Sequence, residues 1–109
     1  MTPIIQIVQS RLDGISDAEY VAHAELLAPR FRQLPGLVSK AWLANAAAHT
    51  YGGLYTWRDR AALEQYRASE TYVQLTGNPH FVELTDRAFT ILPNPTQVTA
   101  PAWPALMAG

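Results

Sequence analysis

From Ile4 to Leu92 the spacing of apolar residues switches between two and about 3.6, and the order of those switches most limits the folds open to the chain. IIQIVQSRL, Ile4 to Leu12, puts Ile5 and Ile7 on one face and Ile4 and Val8 on the other, the pattern of a strand. After Asp13 and Gly14, a turn pair, Ser16 and Glu19 have the spacing of a capping box. The stripe Tyr20, Ala24, Leu27, Phe31 and Leu34 then predicts a helix over about 17–33, with His23 at its edge. Pro29 lacks an amide and its ring crowds the carbonyl of Glu25, so a bend or break is expected in the final turns.

Pro35 and Gly36 stop that helix, and LVSKAWLAN reads as a second strand sending Val38, Lys40 and Trp42 to one face. Ala46 to Thr50 forms a hairpin loop, and YGGLYTW returns as the third strand. Tyr51, Gly53, Tyr55 and Trp57 share one of its faces; Gly52, Leu54 and Thr56 share the other. Glycine inside a strand packs nothing, so this pair marks a bend or a close approach to the backbone. Asp59 opens a second helix carrying Ala62, Leu63 and Tyr66, and TYVQLTG offers a short third one. Gly77, Asn78 and Pro79 break the chain before a last strand, chiefly Glu83 to Leu92.

Strand, helix, strand, strand, helix, strand is an α+β order. It predicts a ferredoxin-like four-stranded antiparallel sheet with its helices on one face. The first three strands carry apolar residues on both faces, so the uncovered side is expected to pack on a second copy as a homodimer. Residues 1–92 form one domain; the tail 93–109, with four prolines, is not expected to form a helix.

Composition narrows the function classes. A net charge of -1 with no basic run leaves no footprint for nucleic acid or an anionic membrane surface. No stretch approaches the ~20 apolar residues of a membrane span and no leader pattern stands at the N-terminus, so a cytoplasmic protein is expected. The absence of cysteine removes thiolate catalysis, and neither HExxH nor paired histidines at helical spacing suggest a metal site.

Three stretches carry a family resemblance: LAPRF in the first helix, LPGLVSKAW into the second strand, and GGLYTW followed by an acidic-start helix. They resemble the YdhR-like monooxygenases of the dimeric α+β barrel superfamily, over about residues 3–92 and most specifically over Pro35 to Trp57. That superfamily includes cofactor-free anthrone oxygenases, polyketide cyclases and haem-degrading enzymes. The resemblance implies a pocket within each protomer, between sheet and helices. It further implies a small monooxygenase that needs no cofactor and acts on an aromatic or polyketide-like ligand through an anion that reacts with O2.

Such chemistry needs a base, donors for a developing oxyanion and a dry pocket. The resemblance to the cyclases implies a catalytic His80, in the NPHF loop, working with a tyrosine; Tyr72 lies just upstream. Trp42, Tyr51, Tyr55, Trp57, Tyr66 and Asn78 are the candidate ligand-binding residues, together with His23, for which a structural role on an apolar helix is the alternative. His49 reads as a solvated loop residue. Lys40 is the one cation in the middle of its strand; it can snorkel past Trp42, pair with a carboxylate across a dimer, or bind an anionic ligand. Glu83 or Asp86 could partner Lys40 or Arg87. A cyclase or isomerase using His80 and a tyrosine, and a non-catalytic ligand-binding dimer, stand as alternatives.

Overall fold

The computed structural model describes residues 2–101. Strand β1 (Ile4–Leu12) is followed by helix α1 (Asp17–Arg32), the hairpin β2 (Leu37–Asn45) and β3 (Thr50–Trp57), helices α2 (Arg60–Arg67) and α3 (Glu70–Thr76), strand β4 (Phe81–Thr90) and helix α4 (Pro93–Thr99). The sheet is antiparallel in the order β2-β3-β1-β4, the ferredoxin-like arrangement.

The alternation in β1 decides what is buried. Ile4, Gln6, Val8, Ser10 and Leu12 lie under the helices, while Ile5 and Ile7 belong to the opposite face. Gln6 is a polar residue in that row, fully buried, and its amide is satisfied at both ends. It accepts from Trp57 Nε1 at 2.8 Å and donates to Asp86 Oδ2 at 2.9 Å. Trp57, Tyr55, Leu63 and Tyr66 complete the core, with the Tyr55 and Trp57 rings stacked at 5.8 Å.

Helix α1 begins with the expected capping box: Ser16 Oγ accepts from the Glu19 amide, and Glu19 Oε1 accepts from the Ser16 amide. It runs unbroken through Pro29 to Arg32. Phe31, two residues beyond the proline, is buried in the core and holds the last turn to the sheet. Asp59 caps α2 as its position suggested.

Two local expectations change. A register shift between Leu37 and Ser39 means that Leu37, not Val38, packs against the core beside Lys40 and Trp42. The tail is helical over Pro93–Thr99, because Pro93 and Pro95 fall in the first turn, where amides lack intrahelical partners in any case. Residues 102–109, including Trp103, lie outside the described residues.

The glycine pair divides its tasks between the faces. A Cβ on Gly52 would stand 2.1 Å from the Val8 carbonyl oxygen, so the β1 backbone fills that vacancy. Gly53 faces the helices, where a side chain of β2 occupies its space.

Candidate functional site

Between the sheet and helices α1 and α3 lies a cavity of about 270 Å³, close to the lower end of the size range for small-molecule sites. Strand β3 supplies Tyr51, Gly53 and Tyr55 to it, β2 supplies Lys40 and Trp42, and α1 supplies Tyr20, His23, Arg30 and Phe31. Asn78 closes one side, beside Phe81 and Leu84.

Lys40 is the feature that distinguishes this cavity. Its Nζ stands 3.4 Å from the centroid of the Trp42 ring, 3.6 Å from that of Phe31 and 4.6 Å from that of Tyr55. Phe31 and Trp42 meet edge to face at 5.4 Å, so the rings form a continuous wall around the amine. Among the described residues no carboxylate forms an ion pair with it: Asp86 binds Arg67 and Glu83 binds Arg11. Burial lowers the Lys40 ammonium to about 7, while the ring faces favour the charged form and oppose that loss. The amine is thus poised between its two protonation states near neutral pH.

At the other end Tyr20 packs on Tyr51 at 4.7 Å. The Tyr51 hydroxyl donates to Asp17 Oδ2 at 2.5 Å, and Asp17 Oδ1 pairs with His49 Nδ1. His49 is therefore tied to α1 through Asp17. The hydrogen bond to Asp17 raises the Tyr51 pKa, and burial raises that of Tyr20. Both phenols stay protonated, as donors must.

The structure brings Trp42, Tyr51, Tyr55, Asn78 and His23 to the cavity, and it does not bring four other expected residues there. Trp57 and Tyr66 belong to the buried core, where the Tyr66 hydroxyl meets that of Tyr55 at 3.1 Å. Burial pushes Tyr66 up to about 12. Tyr72 donates to Asp86 Oδ2 at 2.5 Å, within a cluster that also receives Arg67 and Gln6. His80 is exposed outside the cavity lining, its Nδ1 2.8 Å from the Asp13 carbonyl, where it joins the loop after β1 to the loop before β4. Tyr20, Phe31 and Arg30 were not singled out by sequence, although Tyr20 and Phe31 are two members of the α1 stripe. The signal for Lys40 was a cation placed mid-strand on the face of a tryptophan.

Residues 4–102 match the model of the family described as "Putative mono-oxygenase ydhR". No curated protein matches the chain. Among solved structures, Rv0793 from Mycobacterium tuberculosis superposes with a TM-score of 0.69 at 16% identity, covering 84% of this chain and 96% of that one. SnoaB, a cofactor-independent oxygenase from Streptomyces nogalater solved as a mutant, gives 0.66 at 19% identity, covering 85% and 99%. PA3566 from Pseudomonas aeruginosa gives 0.67 at 17%, covering 84% and 96%. At these identities the likeness shows a common fold, and the family match, which spans nearly the whole chain, shows that the protein belongs to the ydhR family.

Proposed function

We propose that this protein is a cofactor-independent monooxygenase that converts an aromatic or polyketide-like substrate with an acidic C–H or phenolic O–H. The observation that carries the reading is the cavity itself: aromatic walls, protonated tyrosines and a basic amine enclosed between sheet and helices. Family membership and the shared fold with an oxygenase support the same class of reaction.

In this reading a base removes the acidic proton, and the electron-rich anion transfers one electron to O2. Recombination of the resulting radicals forms the C–O bond, and loss of water from the hydroperoxide leaves a ketone. For a methylene carbon the sum is balanced by dioxygen alone: the methylene group and one O2 give a carbonyl group and one water, so no external reductant is consumed. The Tyr20 hydroxyl and the Asn78 amide, both in the cavity lining, are the donors assigned to the developing oxyanion, and the aromatic walls give the anion a largely apolar setting.

The functional unit in this reading is a homodimer. Phe89 and Leu43, on the sheet face that the described helices leave open, are 49% and 36% exposed, and Ile5 and Ile7 lie between them in the register, which supports pairing of that face with a second copy. Light scattering checks it; a monomer at micromolar concentration contradicts it.

Oxygen consumption with a panel of anthrones and hydroquinones tests the reaction. Uptake that depends on protein and substrate together supports it. Conversion that continues unchanged in anaerobic buffer supports the cyclase alternative instead.

A further inference from the structure

The cavity is chemically one-sided. Its charged and titratable lining consists of Lys40 from β2, His23 and Arg30 from α1, and tyrosines from α1 and β3; α3 and β1 contribute neutral polar groups, and among the described residues no Asp or Glu lines it. Glu70 borders an adjoining recess, which Arg30 also lines. An amine enclosed by rings, without a counter-ion, is incomplete in its charged state, and an anionic ligand would complete it. The side chain is also held in place: it crosses the space left by Gly53, with Cε only 2.6 Å from where a Cβ would stand there.

We infer that Lys40 is the group that takes the substrate's acidic proton and then holds the anion it has made. The inference names the base within the oxygenase reading above and rests on that reading for turnover. It also defines the ligand class: planar phenols and enolisable aromatic ketones that enter neutral and are held as anions. In the step itself the lone pair of the neutral amine forms an N–H bond, the substrate C–H or O–H bond breaks, and its electron pair stays on the substrate as enolate or phenolate. The new ammonium lies against the rings of Phe31 and Trp42 and faces the anion. The same proton returns when the peroxide formed from O2 becomes a hydroperoxide, so the amine is regenerated neutral.

A hydroxyanthraquinone that does not react with O2 tests this directly, because its phenolate absorbs at longer wavelength than its phenol. Bound to the wild type, it is expected to ionise at ~10- to 100-fold higher proton concentration than when free. With Lys40→Met, binding seen by quenching of tryptophan fluorescence is expected to persist while that shift is lost. With Lys40→Arg, a fixed cation keeps the shift, but oxygen uptake on a true substrate falls by ~100-fold or more because guanidinium cannot accept the proton. A dye shift that survives unchanged in Lys40→Met overturns the assignment, as does Lys40→Arg at wild-type turnover. If the dye shift depends on Lys40 while no panel substrate consumes oxygen, the anion site stands and the oxygenase reading falls.

Discussion

Lys40 lies across the vacancy at Gly53: a Cβ on that glycine would come within 2.6 Å of Lys40 Cε and 3.2 Å of Tyr55 Cε1. The glycine is thus the floor on which the cavity's amine rests. Gly53→Ala is expected to cost less than ~1 kcal/mol of stability, since the flexible end of a lysine can move aside, yet to lower kcat/KM by about tenfold through displacement of the amine. Gly52→Ala meets the Val8 carbonyl at 2.1 Å and can be accommodated only by parting two strands, so a loss of ~2 kcal/mol or more is expected. Urea denaturation of the two variants, with kinetics on the first, separates these effects.

If the neutral Lys40 amine is the base, kcat/KM rises as pH increases through about 7 and then levels off. A pH profile already flat between about pH 6 and pH 8 contradicts this.

Stability carries the same signature with a defined sign. The Lys40 pKa is lower in the folded chain than in the unfolded one, so at pH values between the two the unfolded state binds more protons and stability rises with pH. Below about 7 both states are charged and the desolvation penalty is fully felt. Lys40→Met is therefore expected to be more stable than wild type by on the order of 1–3 kcal/mol at about pH 5, the lost ring contacts offsetting part of the gain. The difference narrows above about 7 as the folded protein sheds its proton, which denaturation at several pH values measures.

Asp86 is a structural centre rather than a cavity residue. Burial pushes its carboxyl up, but hydrogen bonds from Arg67, Tyr72 and Gln6 together outweigh that effect and hold it below its usual range. Its folded pKa being depressed, the stabilisation is present above the unfolded value and disappears as pH falls through the folded one. Asp86→Asn is expected to lose ~2–4 kcal/mol at neutral pH and progressively less in acid, as thermal unfolding across pH would show.

His80 joins two loops through the Asp13 carbonyl. His80→Ala is expected to lower the melting temperature by a few degrees, corresponding to ~1 kcal/mol, while kcat/KM changes by less than about tenfold. A fall of ~100-fold or more with an unchanged melting temperature would restore the base role expected from sequence.

The parts of the fold that sequence made legible are those set by local chemistry. Ser16 and Glu19 announce the start of α1, alternation in β1 and β3 assigns their faces, and Asp59 marks α2. The cavity was legible only in part, because its centre is assembled from three elements: Phe31 from α1, Lys40 and Trp42 from β2, and Tyr55 from β3. No spacing rule foretells that meeting. The register shift at Leu37 hid the face of Val38. The tail departs from expectation because Pro93 and Pro95 stand in the first turn of α4, where a missing amide breaks no helical hydrogen bond.

Isotopically labelled dioxygen tests the central claim most directly. Turnover of an anthrone in ordinary water under labelled O2 is predicted to give a quinone carrying one labelled oxygen atom, with wild-type protein active and Lys40→Met nearly inactive. An enzyme-formed product that carries no label contradicts the oxygenase account.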